Sequence, residues 1–585
     1  MAALAVVPGA TAPVDAAPSE VAPSLVGGLW SPISEALPAE RDGMARSVDP
    51  STYAAYRLDL PELGRRLAAS PPAARATATP ATISIPAPSG ELVRFAVREV
   101  EVMEPGLAAA RPDISTYAGR SITGPPASIR LDTTPLGFHA SVRGASGSWY
   151  VDPAYIGADQ GAEAPYLSYD GRALPAPEKP LIEPEAIPTD GGGRLVKGAE
   201  APRIGEGPGN AVTARTYRIA FATDPSYSAY FAPDATTDEE FNLLVTAAKV
   251  TLMNRANQIY GDDTSLQMVL VDETDKTNFN TAADAFEAGG PCGATACYDA
   301  AIETDGCSSD LLNRNRLVLG QVIGAENFDV GHIGLGINGG GIAALGVVGL
   351  DGKARGCTGL PFPVGDFYAI DYVAHEIGHQ FAGNHTFNGL NGSCAATNRN
   401  ADTSVEPGSG SSVMAYAGIC AQDDLQPHTD PYFSQRSQTE IGDHVLSSFA
   451  DLNEIESVLL TDFGADDSFR LDFADYGVTA PITNGTNYST AGIKAAVEAV
   501  TGATVTVAAH FDAGGFDTTG FQLTFSGALA GTAIANPTLE VLAGDFAAVV
   551  NDVRQGGPAA NGGNSSVVSD NHVPTVTAPE ARTIP

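Results

Sequence analysis

The spacing of apolar residues divides the chain into patterned stretches joined by unpatterned ones. From Ala81, the runs ATISIP, GELVRFAVREVEVM, ASIRLDTTPLGFHASV and SWYVDP alternate apolar with polar residues, which predicts strands of a small β-rich unit. Ahead of them, one helix is predicted near Tyr53–Ala69, followed by a Pro/Ala linker. TYRIAFAT (216–223) predicts another strand. Thr237 or Asp238 can cap a helix whose apolar positions include Phe241, Leu244, Ala248, Leu252 and Ile259. SLQMVLVD (265–272) is the next strand, so this region opens β-α-β. Residues 285–310 read as loop and are followed by the apolar runs RLVLGQVIG and FDVGHIGLG. The Gly-rich stretch 337–356 matches no phosphate-binding loop and reads as an edge strand and turn beside a cleft. SQTE (437–440) is a capping box for a helix running to about Leu459, which closes the unit. Beyond it, SFRLDFADYG, ATVTVAAHFD, GFQLTFSG and PTLEVLAG read as strands and AGIKAAVEAV as one short helix, a β-rich appended domain.

One periodic segment carries chemistry. In DYVAHEIGHQFAGNH (371–385), a wheel at 100° per residue gathers Ile370, Val373, Ala374, Ile377 and Phe381 on one side. His375 and His379, four apart, project from the other side with Glu376 flanking them. Neutral imidazole is a good zinc ligand, and a Glu beside the first His is placed to take a proton from a metal-activated water. His385 lies six residues past His379, too far for the same helical face unless the chain turns, and Gly383 is the residue that permits a turn. A second constellation follows in SSVMAYAGIC. Met414 in a tight turn forms a soft apolar floor under imidazoles, and the Tyr416 hydroxyl is suited to touch the metal or an oxyanion. His332 in a short strand reads as a satisfied structural residue; His510 and His572 read as surface residues.

Composition narrows the class. The net charge of −37 (32 basic against 69 acidic residues) argues against nucleic acid or anionic membrane as a partner. No run approaches 18 apolar residues, so no membrane span is expected. Acidic groups of this number are able to bind calcium, although no EF-hand loop or Gly-Asp nonapeptide occurs. All six cysteines fall between 292 and 420, an even count confined to one region; they read as disulfides and imply export. Cys394 with Cys420 is the preferred pair because both flank the histidine segment. The boundaries drawn are 1–20 (signal-peptide remnant), 21–183 (β-rich), 184–213 (Pro/Gly-rich linker open to proteolysis), 214–460 (histidine-bearing), 461–570 (β-rich) and 571–585 (linker or start of a further module). The fold class is therefore multi-domain α+β.

HEIGHQFAGNHTF followed by SSVMAYAGIC resembles the metzincin zinc endopeptidases, most closely the bacterial secreted reprolysin-like (adamalysin-type) group. The resemblance is strong over about 214–460, and residues 50–170 look like the propeptide of such enzymes. It implies zinc held by His375, His379 and His385, Glu376 as catalytic base, and Met414 as the methionine of the Met-turn. It also implies a mixed, mostly parallel sheet and a polypeptide substrate. Two positions depart from the family pattern: Ala382 stands where the motif has Gly, and Thr386 where adamalysins carry Asp. Tyr416 instead resembles the Met-x-Tyr of astacin- and serralysin-like enzymes. The N-terminal region has no Cys to block a metal, so latency there needs occlusion or another ligand such as His139. The expectation is a secreted zinc endopeptidase made as a zymogen. Its rivals are a secreted adhesion protein with a structural zinc and a zinc hydrolase acting on non-protein material. Oligomeric state is not legible in the sequence.

Overall fold

The computed structural model describes residues 28–41, 44–73, 75, 77–145, 147–156, 164–175, 213–447, 451–510, 515–557 and 568–569. The signal-peptide remnant 1–20, the linker except Thr213, and the terminal segment 571–585 with His572 lie outside these residues.

The N-terminal part is one antiparallel sheet of nine strands. Its order runs Trp30–Ile33, Ala54–Leu58, Pro165–Asp170, then back through Gly147–Pro153, Gly137–Gly144, Ala127–Thr134, Ser115–Ser121 and Leu92–Glu99 to Ala81–Pro86. Fully buried Trp30 anchors the core, meeting Tyr56, Phe138 and Tyr166 edge-on at 5.8–6.2 Å. The helix expected over Tyr53–Ala69 is corrected here: Ala54–Leu58 is a strand and only Leu60–Leu67 is helical. Pro61 begins that helix, and the Asp59 carboxylate caps it by accepting from the Glu62 amide at 3.0 Å.

The central sheet has Leu266–Leu270, Thr213–Thr223, Val330–Leu335 and Gly356–Gly359 in parallel, with Gly340–Ala343 antiparallel at the edge. The Gly-rich stretch thus supplies an edge strand, as read from sequence. The opposite edge is covered by the N-terminal domain. Leu270 N–H donates to Val102 O and Glu104 N–H to Leu270 O, both at 2.8 Å, so Val102–Glu104 extends the sheet. The long helix Asp238–Thr264 opens on a Thr237–Glu240 capping box. It is buried on both sides, because the N-terminal sheet lies against the face that an amphipathic helix would give to water. Buried polar groups mark that contact: Ser141 Oγ donates to Gln258 Oε1 at 2.6 Å, Asn254 Nδ2 to Leu131 O at 3.0 Å, and Arg255 pairs with Asp152.

RLVLGQVIG belongs to a helix, Ser309–Ile323, that packs on strand Ala547–Arg554 of the C-terminal domain. At Gly320 a Cβ would stand 2.7 Å from Val553 Cα, so the approach is that of backbone to backbone. The C-terminal domain has two four-stranded antiparallel sheets around a phenylalanine-rich core, with the expected helix at Thr490–Thr501. The helix expected from SQTE to Leu459 is shorter, Gln435–Leu446, capped by Ser434. Ile455–Thr461 is a strand of the appended domain, so residue 460 falls inside that domain's sheet. His510 is buried and shares a 2.5 Å hydrogen bond with Thr519, not exposed as expected. The disulfides are Cys292–Cys297, Cys307–Cys357 and Cys394–Cys420, the last being the preferred pair.

Candidate active site

The site helix is wound in two ways. Phe367–Ala374 is a π-helix and His375–Gln380 an α-helix. The 100° wheel therefore holds only from His375 onward, although Ile370, Val373, Ala374, Ile377 and Phe381 are all buried as it required. Tyr260 steadies the junction by donating its hydroxyl to Ala374 O at 2.8 Å. Phe381 packs edge-on against Tyr217 at 4.9 Å.

After Gln380 the chain reverses, and the turn is made at Ala382, whose φ of 71° lies in the left-handed region. It has not moved to Gly383, the residue to which sequence reasoning assigned the turn. Gly383 N–H donates to Gly378 O at 2.8 Å, closing the loop. Glu440 holds the next residue, accepting from the Asn384 amide at 3.0 Å and its side chain at 3.1 Å.

The reversal brings His385 back to His375 and His379. The three Nε2 atoms are 3.1, 3.1 and 3.3 Å apart, and all three residues are buried. Each Nδ1 faces a backbone carbonyl at 2.6 Å: Val413 O for His375, Gly383 O for His379 and Asn398 O for His385. A carbonyl only accepts, so each Nδ1 carries the proton and each Nε2 turns a lone pair inward. Three converging lone pairs repel one another, and a cation at their centre relieves that repulsion. Tetrahedral nitrogen ligands about 2.05 Å from zinc stand roughly 3.3 Å apart, so the donor set and its spacing fit zinc.

Glu376 is wholly buried and lies against the edge strand, where Gly341 leaves space; a Cβ there would meet its Oε1. Met414 is buried beneath the helix, with its sulfur where a Cβ on Gly378 would be. Ala415 N–H donating to Ser412 O at 2.9 Å closes the turn around Met414. The Tyr416 ring sits 4.6 Å from His385 and 5.7 Å from His375, centroid to centroid.

Glu406, which sequence reasoning passed over, ties the third histidine to the methionine turn. Its carboxylate accepts from Thr386 Oγ1 at 2.6 Å, from the amides of Ser411 and Ser412 at 2.9 and 3.1 Å, and from Ser412 Oγ. Thr386, the departure from the family pattern, is its partner. The available signal was that Glu406 is the one acid between Asp402 and Met414. His332 is buried between Thr358 and Gln380 and stacked on Phe221, and burial pushes it down to about 4, so it is a structural neutral imidazole. His139 is held by Asp132 at 2.9 Å on the face toward the long helix.

Residues 243–439 match the family model described as Metallo-peptidase family M12B Reprolysin-like. No curated protein matches the chain. Among solved structures, metalloproteinase-II from Bacteroides fragilis is 12% identical, covers 68% of this chain and 96% of its own, and gives a TM-score of 0.34. Likeness of that degree bears on neither fold nor activity. The matched segment contains His375, Glu376, His379, His385 and Met414, so the chain carries a reprolysin-like metallopeptidase domain and is a zinc metalloendopeptidase.

Proposed function

We propose that this protein is a secreted endopeptidase, made as a zymogen, in which His375, His379 and His385 hold the catalytic zinc and Glu376 is the base. The observation that carries the reading is the ring of three Nε2 lone pairs 3.1–3.3 Å apart, each fixed by a carbonyl behind it. Bound zinc supplies a Lewis acid and a water of lowered pKa. Glu376 takes the proton of the attacking water and returns it to the leaving amine. Tyr416, whose ring lies 4.6 Å from that of His385, donates its hydroxyl to the oxyanion that develops on the substrate carbonyl. Gly340–Ala343, the edge strand beside Glu376, offers its free side to an extended polypeptide.

Three disulfides support export. Latency rests on the N-terminal domain, whose last described residues reach the catalytic domain where His428 Nε2 donates to Leu174 O at 3.0 Å. Cleavage within 184–213 is the proposed activation step. The test is digestion of an unstructured protein by wild type and Glu376→Gln, with zinc and with chelator, before and after limited proteolysis of the linker. Turnover that needs zinc, Glu376 and linker cleavage is expected. Turnover retained by Glu376→Gln would exclude the mechanism, and full activity of the uncut chain would exclude the zymogen.

A further inference from the structure

A small, open cleft lies between the π-wound start of the site helix and the segment after Met414. Phe367, Asp371, Tyr372, Tyr416, Ile419 and Thr429 are among the residues that line it. It adjoins the metal site through Tyr416, which lines it and whose ring lies 4.6 Å from that of His385 and 5.7 Å from that of His375.

Asp371 is the one charged residue of the lining. Its Oδ1 accepts from the Thr429 amide at 2.8 Å, and the Thr429 side chain is its other donor; both donors are neutral. Among the described residues no Lys or Arg nitrogen lies within 4.0 Å of it. Burial, with the charge of nearby Asp430 added, pushes its carboxyl up to about 7. A carboxylate so placed is deficient in positive charge, and an entering ammonium or guanidinium would supply it. Phe367 and Tyr372, edge-on at 5.1 Å, provide apolar surface for the aliphatic stem of such a side chain. The N-terminal domain already brings a cation to the rim: Arg172 approaches Asp430 at 3.8 Å.

We propose that Asp371 is the specificity-determining residue of the protease and that this cleft takes the side chain of a lysine or arginine flanking the scissile bond. The assignment rests on the peptidase reading above. Its test uses the linker-cleaved, zinc-loaded protein and peptide series that differ only in Lys, Arg, Leu or Glu at each position flanking the bond. Wild type is expected to favour Lys and Arg over Leu by at least about tenfold in kcat/KM at one of those positions, as a charge-assisted contact gives. Asp371→Asn keeps the acceptor for the Thr429 amide and is expected to collapse that ratio toward one. Asp371→Lys is expected to turn the preference toward Glu. Should one variant fail to fold, the other decides the assignment. Cleavage that requires Glu376 but ignores basic residues overturns the assignment and leaves the peptidase reading standing. An Asp371→Asn variant that slows Lys and Leu peptides equally also overturns it. No cleavage of any peptide, in wild type as in Glu376→Gln, overturns both.

Discussion

Ala382 holds a left-handed backbone conformation, φ 71°, at the turn that returns His385 to the metal site. An L-residue pays roughly 1–2 kcal/mol there because Cβ crowds the following carbonyl. Ala382→Gly removes that strain but gives the unfolded chain about 0.4–1 kcal/mol of extra entropy. The net expectation is stabilisation of about 0.5–1 kcal/mol. For a domain of this size, that is a rise of about 1–4 °C in Tm. Gly383→Ala is the matched control. Gly383 is outside the left-handed region, and a Cβ there meets Gly378 O at 3.0 Å and Met414 Cγ at 3.5 Å. It is expected to destabilise by about 1 kcal/mol by crowding the Gly378 carbonyl. Thermal and urea unfolding of both variants, with zinc and with chelator, checks the pair. Destabilisation by Ala382→Gly together with a loss in Gly383→Ala well above about 1 kcal/mol would place the left-handed turn at Gly383 and refute the reasoning.

Gly341→Ala pushes a methyl group against the Glu376 carboxylate, so kcat is expected to fall at least about tenfold while bound zinc, counted by metal analysis, stays at one per chain. Glu406→Gln loosens the tie between Thr386 and the Ser411–Ser412 amides. Zinc affinity, measured by chelator competition, is expected to weaken about 10–100-fold, as for other outer partners of metal ligands. Burial pushes Glu454 up to about 7, and burial with the charge of Glu454 pushes Glu456 well above the ordinary range. The folded protein therefore keeps protons that the unfolded chain releases above about pH 4.5, so this stability is full below that pH and is lost as pH rises through about 7. Denaturation at pH 5 and pH 8 is expected to differ by about 2–3 kcal/mol from Glu454 alone, and Glu454→Gln with Glu456→Gln to remove most of the difference. An undiminished difference in that double variant would assign it to other groups.

The parts of the site legible in the sequence are those written as side-chain spacing. Two histidines four apart on a helix with an apolar back can be counted off the chain, and so can a third beyond a turn. The rest is carried by backbone. The carbonyls of Val413, Gly383 and Asn398 fix the imidazole tautomers, and a carbonyl has no residue signature. The π-winding of Phe367–Ala374 is equally hidden, since eight residues are too few to separate its period from that of an α-helix. Glu406 was missed because its work depends on where a loop folds. At element level, the errors sit at boundaries. AAYRL before Asp59 and IESVLL after the closing helix are short strands next to strong helix signals, and the neighbouring signal was extended over them. The buried polar side of the long helix Asp238–Thr264 followed from a partner sheet far away in sequence.

The central sheet ends in two strands whose outer groups meet different fates. Gly340–Ala343 is short and glycine-rich, and faces the metal site. At the other end, Leu270 has its N–H and C=O taken up by Val102 and Glu104 of the N-terminal domain. If that domain departs after activation, Leu270 loses both partners, and the apolar groups beneath Val102, Met103 and Leu107 reach the surface with it. A strand margin bared in this way is a template for pairing with another chain. Under the activation proposed above, the N-terminal domain would also seal a self-associating margin until it is cut away, and the activated enzyme would have to manage that margin without it.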